Sequence, residues 1–424
     1  GPPECRHLPR LRAGAVREGE VRFLVGALAA LTLAAQEAPA RLLAEIQAHA
    51  ALRPNLEALC DDVGPRLTGS PGLERAQAWA MATLRRGGAE QVHLESYDLG
   101  RPWRRGVARA RLLNAHGGAL SIAQWGWTEG TKGVVRGDVV LLETPTLRDF
   151  EAMAPRLRGK VVLVKTRPRA TPEERKDLKA YWARLTKAWR SVPFALVLVP
   201  SEKAAGLSDM AGGPDFLYTS RTAFISAEHA AQLRRLIARG IVPRVEAELG
   251  GGFGPKPVKA GNVVAELPGS EHPEEVVILG AHLDAWDLGN GATDNGAGVV
   301  ALMEVLRAVK AAGLRPKRTL RLVLFSGEEQ GCLGSKAYLA AHRSELERTQ
   351  AVLVMDAGSG RITAMADGQV DAWAERLQAI LGDLPVDYAR PGGSDQETFR
   401  KAGIPAFSPQ QEPLDYWTHT QHTP

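Results

Sequence analysis

The chain has 424 residues, of which 44% are hydrophobic and 24% charged, a composition typical of a globular protein with one large domain or two ordinary ones. Its formal net charge is +5 and its isoelectric point about 9.1, but the arginines are scattered and no basic block alternates with aromatic residues, so nucleic-acid binding is not expected. The three cysteines are widely spaced, which excludes a disulfide framework and a cysteine-based structural metal site. A metal in this protein would therefore be held by histidines and carboxylates.

Residues 21–40 have the pattern of a secretory signal peptide. Arg22 precedes a run of thirteen uncharged residues, 23–35, and small residues follow it. The run is shorter than the ~20 residues that span a bilayer. We therefore expect a secreted or periplasmic protein without stable membrane insertion after signal removal; a buried helix is the alternative. Residues 1–20 resemble no folded element, and we expect the natural start near Val21.

Residues 41–110 are expected to form the first part of the main domain. Leucines at helical spacing predict a helix around 52–59, and a loop rich in glycine and proline follows at 64–72. A second helix is predicted from Ala76 to Arg85, and a strand from His93 to Tyr97.

Residues 111–250 differ in character and are expected to form an inserted β-rich domain. They contain no catalytic constellation, so the insertion would cover or line a site built elsewhere. Glycines and prolines near its end predict a hinge back to the main domain. Short apolar runs predict buried strands at 139–142, 161–164 and 195–199, and a polar stretch predicts a helix at 173–190.

Residues 251–424 alternate between β-rich runs and helical patterns. This alternation predicts the α/β class, with a mixed, mostly parallel sheet and helices on both faces. Functional sites in such sheets lie beyond the carboxyl ends of the strands. The predicted strands are 263–267, 276–279, 320–325 and 351–355, and the longest predicted helix is 297–312.

Polar residues suited to metal binding follow these predicted strands. His282 and Asp284 lie on one side of an extended chain, where Asp284 can orient His282. Asp294 lies in a glycine-rich turn that opens a helix, and its two oxygens can bridge two cations. A phosphate-binding loop is the alternative for this turn, but the Gly-Lys-Ser/Thr signature is missing.

Further candidates follow the later strands. Glu328 and Glu329 are adjacent and would repel each other unless cations lie nearby; one can bind metal while the other moves protons. Asp356 follows the last predicted strand, and His419 and His422 lie near the end of the sequence. Carboxylates and imidazoles at consecutive strand ends predict a site for two metal ions.

Together these motifs resemble the zinc aminopeptidase family of dinuclear zinc exopeptidases, over about residues 41–424. The resemblance implies a zinc peptidase domain formed by 41–110 and 251–424, with 111–250 as an inserted protease-associated domain. It implies a secreted enzyme that hydrolyses peptide bonds of short peptides or dipeptides with two zinc ions per chain. The expected partner is a peptide substrate, and relatives suggest a homodimer.

The resemblance also assigns roles to individual residues. His422 is preferred over His419 because the family pattern His-Thr-x-x-Asp begins there; the sequence ends before that Asp, so we expect a truncated C-terminus. The loop containing Ser394 and Asp395 resembles one near the substrate and receives no definite role. One zinc would be held by His282 and Asp356 and the other by Glu329 and His422, with Asp294 bridging, Glu328 as general acid/base and Asp284 as orienting residue.

Three other functions share parts of this pattern. A glutaminyl-cyclase-like enzyme or an amidohydrolase acting on N-acyl amino acids would use a single metal ion. A non-catalytic receptor relative would normally lack several ligands, whereas the set in this sequence is complete. The sequence does not distinguish an aminopeptidase from a carboxypeptidase or a dipeptidase.

Overall fold

The structure is a computed structural model that describes residues 37–166, 168–214, 217–218, 221–356, 358–366, 374–387 and 393–424. Residues 1–20 and all but the last four residues of the predicted signal peptide lie outside this range. None of the described helices is long and apolar enough to cross a membrane.

Three helices and a long strand precede the insertion. The third helix begins at Pro71, so the prediction of a start at Ala76 was wrong. Ser70 explains the earlier start, because its side chain accepts a hydrogen bond from the N–H of Leu73 and caps the first turn. The elements are α1 (37–49), α2 (Leu52–Glu57, continued by a wider turn at Ala58–Val63), α3 (Pro71–Arg86), β1 (Glu90–Gly100) and β2 (Trp103–Arg104).

The inserted region forms an eight-stranded sheet of its own. Its elements are β3 (Ala108–Leu112), β4 (Gly118–Leu120), β5 (Ile122–Gln124), β6 (Val135–Glu143), α4 (Leu147–Leu157), β7 (Val161–Thr166), α5 (Leu178–Arg190), β8 (Leu196–Pro200), β9 (Thr222–Ile225), α6 (Ala227–Ala238) and β10 (Arg244–Leu249). The strand order is β4-β3-β10-β6-β7-β8-β9-β5, and β6 to β9 are parallel neighbours. The three predicted buried strands correspond to β6, β7 and β8.

The last region returns to the sheet that contains β1. Its elements are β11 (Gly252–Phe253), β12 (Val258–Leu267), β13 (His272–His282), α7 (Ala297–Ala311), β14 (Arg318–Phe325), α8 (Leu333–Ala341), β15 (Thr349–Val354), β16 (Ile362–Ala366), α9 (Ala374–Leu381), β17 (Val386–Asp387), α10 (Gln396–Lys401) and β18 (Ala406–Gln411). The strand order is β1-β12-β14-β13-β15-β18-β16-β17, with four parallel and three antiparallel pairs. The prediction of a mixed α/β sheet is confirmed.

Helices cover both faces of this sheet. Along β14, Leu322 and Leu324 point into a core that includes α3 and α7, whereas Val323 and Phe325 point into a second core. Phe399 of α10 and a tyrosine of α8 belong to that second core. A strand buried on both faces is apolar at successive positions, which explains why these strands were recognisable as continuous apolar runs.

Candidate metal centre

The predicted ligands lie at one edge of the main sheet. His282 is the last residue of β13, Glu329 follows β14, and Asp356 follows β15. β13 lies between β14 and β15 and runs parallel to both, so the carboxyl ends of all three strands meet at the same edge. Asp294 reaches this edge from the turn before α7, and His422 reaches it from the segment after β18.

Asp294 lies between the two histidines. Its Oδ1 is 3.1 Å from Nε2 of His282, and its Oδ2 is 3.3 Å from Nε2 of His422. One carboxylate thus presents one oxygen to each imidazole, which is the arrangement needed to bridge two cations.

The other carboxylates lie on the outer sides of this pair. Oδ1 of Asp356 is 3.4 Å from Nε2 of His282, and Oε2 of Glu329 is 2.8 Å from Nε2 of His422. Glu328 also has an oxygen within 4.8 Å of the ligand atoms of His282 and Asp356. His419 is exposed, and its Nδ1 faces the neighbouring hydroxyl of Thr418 instead.

Asp284 contacts His282 through its main chain and not through the predicted carboxylate. Nδ1 of His282 is 2.9 Å from the main-chain carbonyl of Asp284, whereas the Asp284 carboxylate is 3.7 Å away. A carbonyl can only accept, so this contact places the proton on Nδ1 and leaves Nε2 to face the metal position. The carboxylate of Asp284 instead accepts from the hydroxyl of Thr68 at 2.8 Å and from the N–H of Glu328 at 3.4 Å.

Arg66 supports the turn that carries Asp294, a role that no sequence pattern indicated. Its side chain is fully buried and donates to the main-chain carbonyls of Leu283 at 2.6 Å, Asn290 at 2.5 Å and Gly291 at 2.7 Å. Gly291 has φ +57°, and a Cβ there would collide with Ala285, so the turn requires glycine at this position.

The acid–base properties of the two imidazoles reflect the carboxylates that surround them. Burial alone would lower the pKa of His422, but the charge of Glu329 and a hydrogen bond to it raise that pKa to about 9. Burial likewise opposes the charged form of His282, yet the charge of Asp356 and bonds to neighbouring carboxylates raise its pKa well above the usual value. Both imidazoles are thus held as cations by the surrounding carboxylates when no metal is bound.

The pKa values of the neighbouring glutamates are also shifted. Burial raises the pKa of Glu329 to about 6 and that of Glu328 well above its usual value. Within the described part of the chain, Oε1 of Glu329 is buried without a hydrogen-bond partner. Two overlapping groups, His282 with Glu328 and Asp356 and His282 with Asp294 and Glu329, have ligand atoms within 4.8 Å of one another. This nitrogen and oxygen donor set fits divalent metal ions such as zinc.

Comparison with known proteins decides the family. The model of the protein family described as Peptidase family M28 matches residues 262–423 of this chain. Carboxypeptidase Q of Mus musculus is 31% identical over 373 residues, which are 85% of this chain and 77% of that protein. The chain belongs to peptidase family M28. The Bos taurus carboxypeptidase Q is 34% identical over 383 residues, covering 87% of this chain and 78% of its own length. The prediction of a metallopeptidase similar to carboxypeptidase Q is confirmed.

Solved structures agree with this assignment. A peptidase M28 precursor from Shewanella amazonensis is 27% identical, with a TM-score of 0.78, and the match covers 92% of this chain and 90% of that one. A zinc aminopeptidase from Bacillus subtilis has a TM-score of 0.66 at 17% identity, covering 88% of this chain and 90% of its own. At that identity the second match supports the fold alone.

Two further residues of this M28 peptidase lie at the centre. Tyr416 is buried, and its hydroxyl interacts with the carboxylate of Asp294. Asp395 is fully buried, and this burial raises its pKa to about 7. The charge of His282 lowers this pKa and that of Asp356 raises it. The loop before α10 was noted in the sequence analysis, but no role was predicted for Asp395. Tyr416 lies in no pattern that distinguishes it from an ordinary core tyrosine.

Proposed function

We propose that this M28 peptidase is a secreted dinuclear zinc exopeptidase that hydrolyses peptide bonds of short peptides or dipeptides. The observation that carries the proposal is Asp294, whose two oxygens face His282 and His422 at 3.1 and 3.3 Å. A single-metal site would not require a carboxylate shared between two such groups. The name of its relative carboxypeptidase Q supports an exopeptidase reaction, and the clustered histidine and carboxylate donors support zinc.

In this proposal the ligand sets are those predicted from the sequence. His282 and Asp356 hold one zinc ion, Glu329 and His422 hold the other, and Asp294 bridges them. Residues 41–110 and 251–424 form the peptidase domain, and 111–250 is a protease-associated-like insertion. Zinc ions bound in such sites act as Lewis acids that stabilise developing negative charge and make water more acidic.

Glu328 is the residue that moves protons. It is partly exposed, whereas its neighbour Glu329 is buried against His422. Burial by the surrounding protein raises the pKa of Glu328 well above its usual value, which brings it toward the range suited to proton transfer near neutral pH. Its carboxylate accepts a proton from the attacking water and then donates it to the amine that leaves when the peptide bond breaks.

Zinc content and dipeptide hydrolysis together test this function. We expect about two zinc ions per chain by elemental analysis, with hydrolysis lost on chelation and restored by added zinc. A single zinc ion with no dipeptide hydrolysis would favour a glutaminyl-cyclase-like enzyme or an amidohydrolase instead. A profile of free and end-blocked peptides would then decide which chain end the enzyme requires.

A further inference from the structure

The segment that carries His422 is held in place by the inserted sheet. His422 follows a short helical turn, Tyr416–Thr420, which comes after β18. The loop after β8, residues 201–214, leaves the inserted sheet and lies against this turn. Among the described residues, this loop supplies all the hydrogen bonds that join the main chain of 417–422 to a distant part of the chain.

Two of these bonds come from main-chain donors of the loop. The N–H of Ala204 donates to the carbonyl of Thr418 at 3.0 Å. The N–H of Met210 donates to the carbonyl of His422 itself at 2.9 Å. The loop therefore fixes the backbone of the residue whose imidazole faces Asp294 and Glu329.

The ammonium group of Lys203 is the polar centre of this contact. Its side chain is only 4% exposed, and Nζ donates to the carbonyl of Trp417 at 2.9 Å and to Oε1 of Gln421 at 3.1 Å. Asp209 of the same loop lies 3.8 Å away and supplies the opposite charge. Because a buried ammonium is costly unless it is paired and hydrogen-bonded, these partners fix Lys203 and the segment together.

The end of the loop is closely packed on both sides. Gly212 pairs with Gly126 of the insertion, and a Cβ at Gly212 would collide with the Gly126 backbone. A Cβ at Gly213 would lie 2.7 Å from the carbonyl oxygen of Gln330, the residue after Glu329. The loop thus lies between the inserted sheet on one side and the two chain segments that carry Glu329 and His422 on the other.

We propose that Lys203 is a positioning residue for the metal site formed by Glu329 and His422. This inference rests on the proposed dinuclear function, because it concerns how tightly the second ion is held. Lys203 acts through the main chain of the segment, so its loss would displace His422. The site at His282 and Asp356 has no contact with the loop among the described hydrogen bonds and ion pairs, so it would change far less.

The test is the zinc affinity of Lys203→Met, followed by stepwise release of zinc to a chromogenic chelator. Methionine keeps much of the aliphatic stem of lysine but removes the charge and the donors. We expect one of the two ions to bind about 10- to 100-fold more weakly, as is typical when a residue that orients a metal ligand is lost. The other ion should change by less than about twofold, a difference that general destabilisation would not produce.

Two further variants make the test specific. Lys160→Met is the matched control, because Lys160 directly precedes β7 of the inserted sheet, pairs with Asp138 at 2.8 Å and is partly exposed. It should leave the affinity of both ions unchanged. Gln421→Ala removes one acceptor of Lys203 and should weaken the same ion as Lys203→Met, by a smaller factor.

The outcomes separate this inference from the proposed function. Folded Lys203→Met and Gln421→Ala proteins that release both ions like the unsubstituted protein would overturn the role of Lys203 and leave the dinuclear function standing. Fewer than two ions in the unsubstituted protein would overturn the proposed function, and the inference with it. If Lys203→Met does not fold, the release profile of Gln421→Ala decides the question.

Discussion

Glu328 and Glu329 are chemically identical neighbours in very different surroundings. Oε2 of Glu329 lies 2.8 Å from Nε2 of His422, and the side chain is buried. Glu328 is partly exposed, and its Oε1 faces the thiol of Cys332 at 3.6 Å. Substituting each glutamate in turn by glutamine should therefore separate proton transfer from metal binding.

Glu328→Gln should retain both zinc ions and lose most of its activity. Glutamine has nearly the same shape but cannot accept a proton, and a positioned general base contributes about 10²–10⁴-fold to the rate. At about 1.4 kcal/mol per factor of ten, this corresponds to a barrier raised by about 3–5 kcal/mol. The assay is steady-state dipeptide hydrolysis on protein whose zinc content has been measured on the same sample.

Glu329→Gln is the matched control. It should mainly reduce zinc binding, and its activity should fall as a consequence. Loss of a charged ligand should lower the zinc affinity of the site that includes His422 by more than the ~10–100-fold seen for residues that only orient ligands. Activity should fall because that zinc ion is lost. Excess zinc should restore part of the activity of Glu329→Gln but none of that of Glu328→Gln. Near-normal turnover in Glu328→Gln, or zinc loss equal to that of Glu329→Gln, would refute the assigned roles.

Two further predictions concern stability. Arg66→Met should lower the free energy of unfolding by at least about 1–3 kcal/mol, because it leaves the buried carbonyl of Leu283 and two partly buried carbonyls without their donor. Denaturant unfolding of the chelated protein measures this, and the exposed Arg53→Met should leave the midpoint unchanged. In the chelated protein, burial lowers the pKa of His422, but the charge of Glu329 and a hydrogen bond to it raise this pKa to about 9. The pKa of a histidine in the unfolded chain is ~6.5. The resulting stabilisation should be complete below about pH 6.5 and be lost as the pH rises through about 9. Thermal melts across this range should show the decline, and a His422→Gln melt that declines equally would contradict it.

The strands could be predicted from the sequence, and the candidate metal ligands proposed from it, because both leave local patterns. Central strands such as β13 and β14 are buried on both faces and therefore appear as continuous apolar runs. Several candidate ligands follow those runs, as His282 follows the apolar part of β13, so the strand-end rule singled them out as candidates. The start of α3 was missed because Ser70 and Pro71 were assigned to the preceding loop, although serine followed by proline is a common beginning of a helix.

The contacts that support the ligands were not predictable in the same way. Arg66 binds carbonyls more than two hundred residues away, and Lys203 binds Trp417 at a similar separation. Such pairings depend on the tertiary fold and leave no periodicity or motif in either segment. No catalytic pattern was found in the sequence of residues 111–250, yet the loop 201–214 contacts the segment of His422 directly. The sequence predicted a contact between His282 and the carboxylate of Asp284, but the main-chain carbonyl of Asp284 makes the closer contact. Every residue has such a carbonyl, so no sequence pattern could indicate it.

The alternation of side chains along the central strands ties the metal centre to the hydrophobic core. β13 is paired on both sides, with His282 opposite Phe325 of β14. A slip of one residue in this pairing would move His282 by about 3.3 Å along the strand and turn it to the opposite face of the sheet. The same slip would direct apolar residues of β13 into the wrong core. A misregistered chain would thus lose the packing of both cores and displace the proposed ligand His282 at the same time, so correct packing of β13 also places His282.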